Sequence, residues 1–172
     1  MLLAMLDAPF AQIAGGIEEF ARTAPNRAAL ERFAVERIAR RLPAYDWVGF
    51  YWLDPDDAQT LKLGAFAGAP TEHTRIPVSC GICGAAVAQG ETIVVDDVRA
   101  DPRYLACSIQ TKSEIVVPIR AHGRVVGEID IDSHSHAAFG PADRAFLEVC
   151  AASVGRFIER IVGGVEKPAS LR

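Results

Sequence analysis

No run in this sequence approaches the roughly 18 consecutive apolar residues that a membrane-spanning helix requires, so a membrane protein is not expected. A secretory leader is not expected either: the opening M-L-L-A-M-L has no basic lead and meets an acid at Asp7 before a full apolar region forms. There is no surplus of positive charge either. The formal net charge of −4 gives no electrostatic reason to expect nucleic acid or an anionic membrane as partner. Internal repeats and low-complexity segments are absent. These absences lead us to expect a cytoplasmic protein. In that reducing compartment its four cysteines are expected to serve chemistry, metal binding or packing rather than structural disulfides.

What is present is an ordinary globular composition, 50% apolar and 23% charged. At 172 residues the chain makes one domain with a core that needs no covalent staple. Apolar residues recur at helical spacing over 10–20 and 25–42, with Leu30, Phe33, Ile38 and Leu42 on one face of the second segment. Thr23 is the candidate cap of that helix and Pro43 its stop. The period then changes. Residues 47–53 are aromatic and β-branched, D-P-D-D is a turn, and 60–66 forms the second strand of a hairpin. A loop opens at Gly68, residues 75–78 are extended, and a short helix over 84–89 is closed by Gly90. Strands follow at 92–95, 114–120 and 125–132, the last two joined by the turn A-H-G. Pro141 opens a helix to about 162, with Phe146, Val149, Cys150, Val154, Phe157 and Ile158 as its apolar stripe. The expected unit is one α+β domain over 1–163: helices within 10–42, sheet and site within 46–133, a C-terminal helix over 141–162, and a loose tail over 164–172.

The chemistry concentrates between Arg75 and Glu114, where three of the four cysteines lie. Cys80 and Cys83 lead into the short helix, so a thiolate there would meet unpaired N–H groups and the positive dipole end. The competing reading is small residues packed at a turn. Cys107 occupies an irregular loop between two apolar strands, the usual place for reactive groups. Cys150, on the stripe of the last helix, reads as core. A zinc site joining Cys80 and Cys83 to His134 and His136 is the metal alternative, but H-x-H lacks the usual spacing and no metal is expected. Asp130 and Asp132 share one strand face, with Ile129 and Ile131 on the other, and Glu114 begins the neighbouring strand. Paired carboxylates there would attract a cation; the competing reading is a solvated sheet edge. Trp47 and Tyr51 share a face and could wall a pocket.

Taken together, W-V-G-F-Y, R-I-P followed by G-I-C-G, the A-C loop, S-E-I-V-V-P-I and G-E-I-D-I-D-S resemble the free methionine-(R)-sulfoxide reductases, single GAF-domain enzymes. The likeness runs over 28–157. It implies a GAF-like fold, a six-stranded mostly antiparallel sheet flanked by N- and C-terminal helices, in a homodimer. It implies Cys107 as catalytic nucleophile, Cys83 as the cysteine that forms a disulfide with it, and Glu114, Asp130 and Asp132 as acids that hold substrate and assist protonation. Trp47 and Tyr51 match pocket aromatics. The implied activity is reduction of free L-methionine-(R)-sulfoxide, with no bound cofactor and an external thiol reductant such as thioredoxin. The sequence departs from the family's pattern in three places. His73 stands where many members carry a third cysteine, Cys80 replaces a basic residue, and Ser108 replaces an acid. Cys80 is thereby a candidate for the recycling step. The alternative is a GAF module that binds a small molecule or senses redox state without turnover.

Overall fold

A computed structural model describes residues 6–105 and 108–163 of the chain. Two helices come first, α1 (Ala8–Thr23) and α2 (Arg27–Arg41). The cap of α2 is Asn26, whose side-chain oxygen accepts from the Ala29 N–H at 2.9 Å. The expected cap, Thr23, instead belongs to α1, where its hydroxyl donates to the Phe20 carbonyl. A short amide reaches the open N–H groups of a first turn as well as a hydroxyl does, and Asn26 is the one in extended backbone beside that turn.

Six strands follow: β1 (Trp47–Asp54), β2 (Asp57–Ala67), β3 (Arg75–Pro77), β4 (Ile93–Val95), β5 (Ser113–Ala121) and β6 (Arg124–Ser133). A third helix, α3 (Gly81–Gln89), lies between β3 and β4, and α4 (Pro141–Gly163) ends the described chain. The strands form one sheet in the order β3-β2-β1-β6-β5-β4, every pairing antiparallel. The α+β expectation holds, as do both hairpins. The A-H-G turn is formed with His122 at φ 50° and Gly123 at φ 74°, the two left-handed residues that a two-residue hairpin loop prefers.

Alternation along the central strands splits the molecule into two layers. On one face Val48, Phe50, Trp52, Ile115, Val117, Ile119, Ile129 and Ile131 pack under α1, α2 and α4. The last helix lays down Phe146, Val149, Cys150, Val154 and Phe157 as expected, and the Phe10 and Phe146 rings stack at 4.6 Å. The opposite face carries Trp47, Tyr51 and Val116 and is covered by the smaller α3 with Ile82, Cys83, Ala86 and Val87. One sheet thus separates a large apolar core from a thinner layer. The acids of β5 and β6 point into that thinner layer.

Two buried acids outside it show how the fold compensates charge. Glu31 is 3% exposed; it pairs with Arg27 at 2.9 Å and accepts the Ala65 N–H at 2.8 Å, tying α2 to β2. Asp54, in the D-P-D-D turn, does more than turn the chain. It lies 2.8 Å from Lys62 and 3.0 Å from Arg75, and its hydrogen bond to Lys62 first of all holds its pKa down at about 2.

Helix α4 comes close to the β5 backbone at Gly155, where a Cβ would run into the Arg120 carbonyl. Gly155→Ala gains helix propensity but forces helix and sheet apart. We expect a loss of about 1–3 kcal/mol, the usual cost of overpacking, measured by urea denaturation. A variant as stable as the parent would mean that this contact yields easily.

Candidate active site

The site follows from the register of three strands. Trp47 pairs with Asp132, Gly49 with Asp130 and Tyr51 with Glu128 across β1 and β6; on the other side Glu114 of β5 pairs with Asp132. Because side chains alternate, Glu128, Asp130 and Asp132 all leave the same face of β6. Beside them stand Glu114 on one flank and the two aromatic rings on the other. Strand β6 lies between β1 and β5, so the solvated-edge reading of its acids is overturned. All four carboxylates are buried: Glu128 is 0% exposed, Asp130 2%, Glu114 4% and Asp132 4%.

None of the four forms an ion pair with a basic side chain among the described residues. Both oxygens of Glu128, one of Asp130 and one of Asp132 also lack a hydrogen-bond partner there. Desolvation is the first cause acting on each, and the neighbouring carboxylates add to it for Glu114, Glu128 and Asp132. Those three are pushed well above the usual carboxylate range, and burial raises Asp130 to about 7. Like charges this close in a dry layer cannot all ionise, so the cluster holds protons at neutral pH.

Cys83 is the third residue of α3, and its thiol faces this cluster, 3.5 Å from Asp130 Oδ2 and 4.0 Å from Glu114 Oε1. Helix α3 seats itself there because Gly84 lets its backbone rest on the Pro77 and Val78 carbonyls, where a Cβ would collide. The expected helix-start thiolate is corrected at this residue. Cys83 is 4% exposed, and burial, then Asp130, Glu128 and Glu114, push its pKa well above an ordinary thiol's. A helix dipole contributes about 0.3–1 kcal/mol, too little against desolvation beside three acids. Cys80 is the residue at the helix start: it is the N-cap of α3, exposed, with its sulfur 3.8 Å from the Ser79 hydroxyl. Cys107 lies outside the described residues. Cys150 is buried in the large core as expected.

A cavity of about 110 Å³ opens onto the acids, lined by Trp47, Tyr51, Ser108, Thr111, Asp130 and Asp132 among others. It is smaller than the roughly 300–1,000 Å³ of drug-sized sites and suits a compact ligand. Its aromatic wall is pinned: the Trp47 Nε1–H donates to the Ala69 carbonyl at 3.1 Å and the Tyr51 hydroxyl to the His73 carbonyl at 2.8 Å. A larger groove of about 610 Å³ runs along α4 by Arg120, Arg144 and Arg156, but it is open and its lining includes no thiol and no buried acid. Two of the buried acids, Asp130 and Asp132, line the smaller cavity. The zinc set is not assembled: His134 faces Asp46 at 3.2 Å and His136 faces Asp97 at 3.9 Å, both exposed and apart from buried Cys83.

The GAF domain model matches residues 32–158. The chain is 33% identical over 153 residues to the free methionine-R-sulfoxide reductase of Escherichia coli, covering 89% of this chain and 86% of that one. It belongs to the GAF family, in the branch of the free methionine-R-sulfoxide reductases. The six-stranded curled sheet is that of a GAF domain. A crystal structure from Neisseria meningitidis, of a free methionine-R-sulfoxide reductase in complex with its substrate, overlays this GAF domain with a TM-score of 0.83 at 33% identity, covering 89% of this chain and 91% of that one. Protein YtsP of Bacillus subtilis is 43% identical over 106 residues, 62% of this chain; the match spans 64% of its own length, a little under two thirds.

Sequence reasoning missed Glu128 and Thr111. Glu128 was legible, since it stands two residues before Asp130 on the same strand face. Thr111, whose buried hydroxyl lacks a partner among the described residues, comes from a loop and carries no periodic signal.

The raised carboxyls set a sign for pH. The fold keeps a proton on Asp130 that the unfolded chain releases, so this stabilisation is complete below the unfolded value near 3.8 and is lost as pH rises through about 7. We expect the reduced, metal-free protein to unfold at lower urea at pH 8 than at pH 5, with Asp130→Asn flattening the difference. A parent protein with no such difference would show the cluster charged throughout, and a difference untouched by the substitution would assign it to groups other than Asp130.

Proposed function

We propose that this GAF domain reduces free L-methionine-(R)-sulfoxide to methionine by thiol chemistry, with Cys107 as nucleophile and Cys83 as resolving cysteine. The observation that carries the reading is the juxtaposition of a buried thiol, protonated carboxyls and an aromatic-walled cavity. A sulfoxide oxygen is a poor leaving group until it is protonated, and Glu114, Asp130 and Asp132 are acids kept neutral by their surroundings. The same carboxyls suit the substrate's ammonium group, whose charge favours their ionised form. Trp47 and Tyr51 suit the S-methyl end, since sulfur packs well against aromatic rings. The relationship to the reductase whose structure holds its substrate supports the same assignment.

The Cys107 thiolate attacks the sulfoxide sulfur, an acid of the cluster protonates the oxygen, and methionine leaves with Cys107 as a sulfenic acid. Cys83 then condenses with it to a disulfide and water. Its raised pKa means that attack requires a proton acceptor, and Asp130 at 3.5 Å is placed to be one. The neighbours of Cys107 support its role: Ser108 lines the cavity, and the Leu105 side chain lies against Gly81 at the start of α3. A dithiol reductant such as thioredoxin restores both thiols. Exposed Cys80 serves this step by attacking Cys83 and presenting a disulfide at the surface. A cytoplasmic homodimer without a bound cofactor is part of the same reading. No described helix is long and apolar enough to cross a membrane.

In an assay coupling thioredoxin, its reductase and NADPH, free methionine-(R)-sulfoxide is expected to turn over and its N-acetyl derivative to fail, because acetylation removes the ammonium charge. Asp132→Asn should lower kcat/KM by about 10²-fold or more. Binding without NADPH consumption would favour the sensing module. Equal rates on both compounds would remove the acids from ammonium recognition.

A separate outcome is expected for recycling. Cys80→Ser should retain a single stoichiometric turnover and slow thioredoxin-supported cycling, whereas Cys107→Ser should abolish both. Unchanged steady-state cycling in Cys80→Ser would return Cys80 to a packing role.

A further inference from the structure

The thiol and two of the acids are arranged for something besides a sulfoxide. Cys83 Sγ, a Glu114 oxygen and an Asp130 oxygen all lie within 4.8 Å of one another, with the thiol 3.5 Å from Asp130 and 4.0 Å from Glu114. A tetrahedral zinc ion with bonds of about 2.3 Å to sulfur and 2.0 Å to oxygen sets its sulfur and oxygen ligands roughly 3.5 Å apart. The donors are therefore close to ligand spacing before any ion is considered.

A second observation points the same way. Glu128 is wholly buried, its carboxyl is felt by the same thiol, and neither of its oxygens has a partner among the described residues. Asp130 Oδ1 is likewise without one. Buried carboxyls left unsatisfied beside a thiol favour a guest that carries positive charge and accepts several donors at once. The donor set selects its chemistry: one thiolate with two carboxylates suits zinc or cobalt, while magnesium and calcium avoid sulfur.

The geometry points to a binding site for one divalent ion of the zinc class on Cys83, Glu114 and Asp130 of the reduced protein. Asp130 also lines the cavity, so the fourth position is reachable from there by water or a small ligand. Binding displaces the thiol proton and the carboxyl protons, and the ion's charge takes over the role those protons play in the empty cluster. The ion and a disulfide on Cys83 exclude each other, since both need the same sulfur. The inference stands independently of sulfoxide turnover.

The test uses the full, reduced chain without oxygen. Zinc is titrated against a chromophoric chelator, and cobalt is added separately and followed by absorption. We expect one equivalent of either ion, with a thiolate-to-cobalt charge-transfer band and the intense visible bands of a tetrahedral site, and no competition from magnesium. Cys83→Ser should abolish the charge-transfer band, and Asp130→Asn and Glu114→Gln should each weaken binding at least tenfold. Cys80→Ser and Cys107→Ser should leave the band in place. Circular dichroism verifies that each variant is folded. Absence of the band in the unsubstituted protein overturns the inference without recourse to any variant. So does a band that survives Cys83→Ser or disappears in Cys80→Ser or Cys107→Ser, which would put the ion on other cysteines.

Discussion

Four carboxyl groups buried on one face of a sheet, without a basic partner among the described residues, are the constraint on which the rest of this site depends. An isolated buried carboxylate is too costly to keep, so the group takes a proton or a partner. Elsewhere the fold supplies partners: Glu31 has Arg27, and Asp54 has Lys62 and Arg75. In the layer under α3 it supplies neighbouring acids and a thiol instead. The pairing of Glu114 with Asp132 across the β5–β6 register places like charges side by side, an arrangement that a sheet selected for stability alone would avoid.

That arrangement is tolerated because the two faces of the sheet are so unequal. The face under α1, α2 and α4 buries most of the large apolar side chains, including the three fully buried phenylalanines Phe50, Phe146 and Phe157. The thinner layer can carry an unfavourable polar cluster without threatening the fold. The same inequality explains Cys83. Its neighbours in α3 are small, Gly84, Ala85 and Ala86, so the helix sits low on the sheet and the thiol reaches the acids.

Much of this was legible in the sequence, and for a physical reason in each case. The split of β6 into isoleucines on one face and acids on the other follows from a period of two, and both faces are as expected. The stripe of α4, including the core role of Cys150, follows from a period of 3.6. What failed was decided by three dimensions. Whether Asp130 and Asp132 lie at an edge or in the middle of a sheet depends on strand order, which alternation does not encode. The environment of Cys83 depended on helix α3 starting at Gly81 and facing the sheet, whereas a helix expected to start at Gly84 would leave the thiol before its first turn. The same one-turn difference separates a thiolate at a dipole from a thiol among carboxyls.

The protonated cluster and the buried thiol are consequences of one imbalance of charge, and this makes their occupants alternatives. Protons neutralise the acids one at a time and leave Cys83 as a thiol. The ammonium group of the proposed substrate would meet Asp130 and Asp132, which line the cavity, and would favour their ionised forms. The divalent ion of the proposed site would occupy the inner members, Cys83 and Glu114 with Asp130, and would take the sulfur out of redox exchange. Asp130 belongs to all three arrangements, and burial raises its pKa to about 7. Asp130 is thus the residue shared by both proposals, lining the cavity on one side and facing the Cys83 thiol at 3.5 Å on the other.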